Sequence, residues 1–230
     1  MHYVMSDIHG NMRRFEAMLE KIRLGETDTL YILGDVIDRH PDGIALLRRI
    51  MGMPNVRLLL GNHEYMMLRA LGEPVDDNYD DGSAFEHWYR NGGEVTRRAW
   101  DLLWPEEQRE MLDYLHRLPL TIDLQVGERN YRLVHGAPVQ WWETNTDHMY
   151  RTAAHFAVWR RLKAEEPAED GRILIFGHTP TCYYQTAVPM EVWYGKGRIG
   201  IDCGCGWPED GPEGRLGCLC LEDGAEFYVK

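Results

Sequence analysis

Short apolar runs alternate with amphipathic stretches along the first part of the chain, and each run ends in a polar signature. Tyr3 to Met5 leads into Ser6-Asp7-Ile8-His9-Gly10, Thr29 to Leu33 into Gly34-Asp35-Val36-Ile37-Asp38-Arg39, and Val56 to Leu60 into Gly61-Asn62-His63-Glu64. Asp7 and Asp35 stand 28 positions apart, and Asp35 and Asn62 stand 27 apart. Each interval is about one strand–helix–strand unit of roughly 30 residues. In the intervals, Asn11 to Leu24 sets Met12, Phe15, Met18, Leu19 and Ile22 at helical spacing, and Gly43 to Met51 reads as a second helix. This alternation predicts an α/β fold with right-handed crossovers and a largely parallel sheet. The strand carboxyl ends of such a sheet form its ligand crevice, so the signatures converge there although they are far apart in sequence.

The rest of the chain carries two more signatures, His135-Gly136 and Gly177-His178-Thr179. Ser83 to Arg117 is helical and aromatic, broken by Asn91-Gly92-Gly93 and by Pro105. It reads as a helical insertion at about 83–117 in a single domain of 230 residues. Leu120 to Val126 and Tyr131 to Val134 read as paired strands around Gly127, Thr152 to Lys163 as a helix, Ile173 to Phe176 as a buried strand, and Val188 to Lys230 as short strands and turns. The acidic stretches Glu73 to Gly82, Glu165 to Gly171 and Pro208 to Gly214 read as solvated loops, none long enough to link domains.

Charge narrows the class of partner. With 37 acidic against 25 basic side chains the formal net charge is −12, which argues against a protein that grips nucleic acid or an anionic membrane surface. A locally cationic cleft for a phosphate-bearing substrate remains compatible with it. No segment approaches the roughly 18 apolar residues of a membrane span, and Met1 to Gly10 lacks a basic stretch followed by an apolar one. A cytoplasmic protein is expected. The five cysteines are an odd number in a chain too long to need staples, which argues against a disulfide framework. Cys203-x-Cys205 and Cys218-x-Cys220 invite a four-thiolate zinc reading, but paired zinc cysteines usually have two residues between them. A single intervening residue is the strand period, so the better account is buried thiols in adjoining strands, with Ile201, Cys203 and Cys205 on one face and Leu216, Cys218 and Cys220 on another.

Taken singly, Asp7 and Asp35 could be helix or turn caps, and His135 or His178 satisfied core residues. Together Asp7, His9, Asp35, Asn62, His135 and His178 supply carboxylate, amide and imidazole donors at strand ends. In an extended segment Asp7 and His9, two apart, point the same way. The set is enough for two neighbouring divalent ions with one carboxylate between them.

The order Asp-x-His-Gly, Gly-Asp-x-x-Asp-Arg, Gly-Asn-His-Glu, His-Gly, Gly-His-Thr resembles the phosphoprotein phosphatase family of metallophosphoesterases, in particular its compact bacterial and bacteriophage-lambda-type members. The resemblance runs from residue 4 to about residue 221. It implies a four-layer sandwich of two mixed β-sheets flanked by α-helices. It implies one metal on Asp7, His9 and Asp35 and another on Asp35, Asn62, His135 and His178, the metals being manganese or another transition metal such as iron or zinc. It further implies that His63 protonates the leaving group, that Asp38 orients His63, and that Arg39 grips phosphate. A second phosphate-binding arginine is expected in Trp159-Arg160-Arg161, where the offset from the tryptophan favours Arg161 and Arg160 stays open. Asp38 and Arg39 also admit a plain loop salt bridge, and Arg161 a solvated helix face.

The implied activity is a phosphomonoesterase, first a serine/threonine-type protein phosphatase, working by in-line attack of hydroxide held between the two metals. The alternatives are a dinucleoside tetraphosphate hydrolase or a nucleic-acid-end phosphatase of the same superfamily, and, from another class, a metal-binding module without catalysis. The partner is then a phosphorylated protein or a small phosphate ester. Two departures stand out: Ser6 where the family has Gly, and His40, followed by Pro41, where the second signature ends in Gly and a side chain could crowd the phosphate. Trp88-x-x-Asn91-Gly92-Gly93-x-x-Thr96 resembles a segment beside the active site of bacterial members, with Trp88 read as core packing and Asn91 as either a helix terminus or a substrate neighbour. Trp141 and Trp142 either line the cleft mouth or pack. His2, His87, His116, His148 and His155 carry no signature and read as surface or packing residues.

Overall fold

The computed structural model describes residues 1–75, 83–166, 171–207 and 213–230. The chain begins β1 (His2–Met5), α1 (Met12–Ile22), β2 (Thr29–Ile32), α2 (Gly43–Met51), β3 (Val56–Leu58) and α3 (Asn62–Ala70). Three helices follow, α4 (Ala84–Arg90), α5 (Glu94–Trp100) and α6 (Pro105–His116), then the hairpin β4 (Thr121–Val126) and β5 (Arg129–Val134). After a short 3₁₀ turn come α7 (Ala153–Trp159), β6 (Ile173–Phe176), β7 (Trp193–Gly195), β8 (Arg198–Gly200), β9 (Leu216–Cys220) and β10 (Glu226–Val229).

Two five-stranded sheets result, ordered β10-β9-β1-β2-β3 and β4-β5-β6-β8-β7. The N-terminal βαβ units are parallel as expected: His2 pairs with Thr29 through Met5 with Ile32, and Leu30 with Val56 through Ile32 with Leu58. The sheets are nonetheless mixed rather than largely parallel. β9 and β10 add antiparallel to β1, and in the second sheet β5, β6 and β8 are parallel while β4 and β7 border them antiparallel. Tight turns can join neighbours only antiparallel, and Gly127, at φ +58, makes such a turn.

Strand periodicity builds the layers. Val4, Leu33 and Leu219 face Leu133, Ile175 and Ile199 of the other sheet, closing the core between the two. Their sequence neighbours Tyr3, Met5, Cys218 and Cys220 turn to the opposite face and meet Phe15, Met18, Leu46 and Leu47 of α1 and α2. Leu174 and Phe176 meet Phe156 of α7 on the far side. The order is therefore helix, sheet, sheet, helix.

Three local expectations change. α3 opens at Asn62, so the third signature is a helix N-terminus, where the sequence reading placed no helix. Asn62 to Leu68 is buried on every side, which erases the amphipathic period by which a helix is read. α7 ends at Trp159, four residues short of the expected Lys163. Cys205 parts from Cys203: the latter joins the inter-sheet core and the former the helix-side core, because β8 has already ended and Gly204, at φ +74, turns the chain between them. Burial raises the pKa of all four clustered thiols, and among the described residues the only metal-type donor groups are made of His and Asp. These are packed thiols, as read. Most of the three acidic loops lies outside the described residues. No helix among those described is long and apolar enough to cross a membrane.

Candidate metal centre and active site

Parallel register delivers the signatures to one edge. β1 and β2 end side by side, and the loops that follow are stitched together by backbone bonds from Asp7 N to the Gly34 carbonyl and from His9 N to the Asp35 carbonyl, at 3.2 and 2.9 Å. β5 and β6 do the same in the second sheet, where Gly177 N donates to the His135 carbonyl at 3.0 Å. Two bonds then cross between sheets: His178 N to Asp7 Oδ2 at 3.0 Å, and His135 Nδ1 to the Leu33 carbonyl at 2.7 Å.

These loops are not extended. Eight described residues other than glycine have positive φ, and six of them are Asp7, His9, Asp35, Asp38, Arg39 and His178. That conformation is disfavoured for a residue with a Cβ and persists only where its surroundings over-determine it. Asp7 and His9 therefore meet through two left-handed turns, not through the strand period. Gly34 (φ +98) and Gly177 make room for this, since a Cβ on Gly34 would stand 2.6 Å from Gly61 Cα and one on Gly177 2.0 Å from Ser6 Oγ. Ser6 fits where its family counterpart is Gly, with its hydroxyl donating to Asp7 Oδ2 at 2.5 Å.

Asp35 is the centre of the donor set. One group of mutually close donor atoms joins it to His9 and His63, the other to His135 and His178, each group within 4.8 Å. Asp7 Oδ1 lies 3.9 Å from His9 Nε2, and Asn62 Oδ1 2.8 Å from His135 Nε2. All six expected ligands are thus brought together. Burial pushes His9 and His178 well below the ordinary imidazole value and lowers His135, so their lone pairs are free. Each donates its other ring N–H to a main-chain carbonyl: His9 to Ile37 (3.1 Å), His135 to Leu33, His178 to Trp159 (3.1 Å). Anchoring of that kind fixes the tautomer of a metal-binding imidazole. With its Nδ1 donating, His135 presents a bare Nε2 to the Asn62 oxygen, and two acceptors facing each other are what a cation relieves. Asp35 is raised well above the carboxylate range by burial first and by Asp7 and Glu64 besides, a repulsion that divalent charge also relieves. The donor set fits two metal ions sharing Asp35.

His63 sits close enough to count as a ligand, but its Nδ1 is bound to Asp38. Burial would lower its pKa; Asp35, and then the hydrogen bond to Asp38, more than reverse this and raise it. A shift in that direction favours the proton-bearing form and suits an acid better than a ligand. Asp38 Oδ2 accepts from His63 Nδ1 at 2.6 Å and from Trp88 Nε1 at 2.8 Å. Asp38 is therefore engaged by the imidazole and not by Arg39. The whole Trp88 to Thr96 segment grips this loop: Asp38 N donates to Thr96 Oγ1 at 2.9 Å and Arg39 N to the Gly92 carbonyl at 3.1 Å. Trp88 is core, with no exposed surface, and is also bonded to the candidate acid's partner.

A cavity of about 150 Å³ opens over Asp7, Asp35, Asn62 and His178, flanked by Arg39, Asn91 and Arg161. Arg39 Nη2 reaches 3.3 Å from His63 Nε2. Of the two candidate arginines Arg161 lines this cavity, with Nη1 donating to the His178 carbonyl at 2.8 Å, and it follows the end of α7 rather than lying on a helix face. Arg160 points elsewhere, paired with Glu166 at 2.8 Å and stacked over Trp141 and Phe156. Trp141 and Trp142 pack against the α7 core. His40 turns its Nδ1 onto the His9 carbonyl at 2.9 Å, and it is not among the residues that line this cavity.

The model of calcineurin-like phosphoesterases matches residues 3–188. The chain belongs to that family. It is 29% identical over 147 residues to the symmetrical bis(5'-nucleosyl)-tetraphosphatase of Erwinia tasmaniensis, covering 63% of this chain and 47% of that protein. To its counterpart in Chromohalobacter salexigens it is 28% identical over 185 residues, covering 77% and 58%. The chain spans about half the length of these curated relatives. A metallophosphoesterase from Sphaerobacter thermophilus shares the fold at a TM-score of 0.57 and 20% identity, with 100% of this chain and 88% of that one covered. The cold-active protein-tyrosine phosphatase of a Shewanella species does so at 0.52 and 17%, with 100% and 80% covered.

Three features of this calcineurin-like phosphoesterase escaped the sequence reading. The buried Glu64 carboxylate accepts from the main-chain N–H groups of Asp35 (2.9 Å), Val36 (2.8 Å) and Gly61 (3.1 Å), bracing two signatures against each other. Its place beside His63 was the only signal. Asp202, just past β8, lines the cavity and is raised by burial and by Asp7. His87 of α4 stacks on Trp159 at 5.3 Å, and Trp159 meets His178 edge-on at 5.9 Å.

Proposed function

We propose that the chain is a two-metal hydrolase whose substrate is a dinucleoside tetraphosphate, cleaved symmetrically into two nucleoside diphosphates. The observation that carries the chemistry is Asp35 placed between two donor groups, with three imidazoles anchored on main-chain carbonyls around it and His63 held by Asp38 beside it. Asp7, His9 and Asp35 would hold one ion and Asp35, Asn62, His135 and His178 the other, with manganese the first choice. When bound, such ions activate water and neutralise phosphoryl charge.

The protein's own groups supply the rest. Arg39 and Arg161 flank the cavity from two loops and bind phosphoryl oxygens through their planar forks. His63, its Nδ1 proton held by Asp38, donates from Nε2 to the leaving oxygen. Water adds its oxygen to one central phosphorus, the bridging oxygen leaves with the other half, and one proton is released. Named relatives support the dinucleotide, and the order of the two readings reverses: the protein phosphatase becomes second. The cavity lining supports the same choice, because Tyr183 and Trp207 belong to it and aromatic side chains are what a base stacks on.

The test is a panel on manganese-loaded protein: diadenosine tetraphosphate, an aryl phosphate, and phosphoserine, phosphothreonine and phosphotyrosine peptides. The expected result is a kcat/KM at least tenfold higher for the dinucleotide, with ADP as the sole nucleotide product. A phosphopeptide preferred by that margin, or AMP with ATP as products, overturns the reading.

A further inference from the structure

Beside the catalytic cavity lies a second one of about 530 Å³, and Arg161 and Tyr183 belong to the walls of both. The remaining wall is largely the segment 162–165. That segment is pinned from behind. Tyr184 Oη donates to the Leu162 carbonyl at 2.7 Å, and Arg198 donates through Nη1 and Nη2 to the carbonyls of Lys163 and Ala164, both at 2.8 Å. Arg198 is only 2% exposed, so a buried guanidinium is given over to holding two consecutive peptide groups in place, and Tyr184 holds the one before them. A wall fixed in this way is preorganised for a ligand rather than shaped by one.

The lining states what that ligand carries. Arg161, which also lines the catalytic cavity, and Lys163 are cations, and phosphate is the anion they match. Tyr183 is 72% exposed, an aromatic face held open at the junction of the two cavities. Glu165 on the same wall accepts hydrogen bonds and repels phosphate, so it faces a part of the ligand bearing hydroxyl or amino donors. Inorganic phosphate offers only the anion and a nucleoside only the ring and donors. A nucleoside diphosphate has all three, and the cavity lies within the roughly 300 to 1,000 Å³ of small-molecule sites.

We propose that this second cavity is the subsite for the leaving half of the substrate, binding a nucleoside diphosphate with its phosphates toward Arg161 and Lys163 and its base on Tyr183. The assignment rests on the dinucleotide reading for the name of the substrate, and on the cavity alone for the class of ligand.

Calorimetric titration of manganese-loaded protein with ADP and with inorganic phosphate tests it. ADP is expected to bind at least tenfold more tightly than phosphate. Lys163→Ala should weaken ADP at least fivefold relative to phosphate, and Tyr183→Ala likewise, while Tyr183→Phe, which keeps the ring, retains ADP affinity within twofold. Equal affinity for ADP and phosphate overturns the proposal, as does an ADP-to-phosphate ratio unchanged by both Lys163→Ala and Tyr183→Ala. Hydrolysis of diadenosine tetraphosphate separates the two claims. Lys163-dependent ADP binding in a protein that does not cleave the dinucleotide leaves the subsite standing and removes the substrate. Cleavage with a KM that Lys163→Ala does not change removes the subsite and leaves the substrate.

Discussion

His63 differs from the other three imidazoles of the centre in one respect, the company of Asp38. All four are buried, and burial lowers each of them; only His63 is returned above its ordinary value, by Asp35 and then by the Asp38 hydrogen bond. An acid must hold its proton to act, so activity is present below that raised pKa and falls as pH rises through it. Asp38→Asn removes the carboxylate and should move this alkaline limb to lower pH, with kcat down about 10²-fold. Trp88→Phe removes the second donor to Asp38 Oδ2, tightens the His63 bond and should move the limb to higher pH. Profiles of kcat against pH check both, and displacement of the two limbs in the same direction rejects the relay. His63, Asp38 and Arg39 were all legible in the signatures as the candidate acid, its partner and a candidate phosphate ligand. Trp88 was legible only as an apolar residue, because a sequence shows that an indole is buried but not where its one N–H points.

At the scale of elements, what could be read followed periodicity. β1, β2 and β6 and the helices α1 and α2 lie where alternation and helical spacing put them, and Asn11 caps α1 by accepting from Arg14 N at 3.1 Å. α3 was missed because a helix buried on all sides has no polar face. α7 was overextended because Trp159-Arg160-Arg161 keeps helical spacing on paper, whereas Arg160 leaves the helix at ψ 121 and pairs with Glu166. The β4–β5 hairpin carries a pair that register explains: Asp123 lies opposite Arg132 and accepts from its Nε and Nη2, both at 2.8 Å. The Arg132 hydrogen bond chiefly lowers the Asp123 pKa. A lowered carboxylate contributes stability that is present above its unfolded pKa of about 4 and is lost as pH falls through the folded value. Asp123 is 44% exposed, so Asp123→Asn should cost less than about 1 kcal/mol at pH 7, and the difference should close in acid. Urea unfolding at neutral pH and below pH 4 measures it.

For the whole molecule the question is how a chain of net charge −12 could accommodate the polyanionic substrate proposed for it. Asp7, Asp35, Glu64 and Asp202 are buried near one another at the meeting of the two sheets, and two divalent ions would offset four negative charges there. Arg39 and Arg161 complete a cationic cleft in an acidic exterior. Metal that binds only the folded state stabilises it: at one hundred times Kd the gain is about 2.7 kcal/mol per ion. Chelation of both ions followed by dialysis should therefore lower the Tm by roughly 10 to 20 °C, restored by manganese and not by an equal ionic strength of sodium. Scanning calorimetry shows it, and an unchanged Tm counts against a resident metal pair. The candidate donors and the strands that precede them were determined by the sequence alone, since residue type decides what can bind a metal and hydrophobic period decides what becomes strand. Only tertiary structure decided which donors meet, because Asp7, His9, Asp35 and His178 reach one another from left-handed turns and through bonds that cross between two sheets. That conformation is held by neighbours distant in sequence, and no local pattern of residues records it.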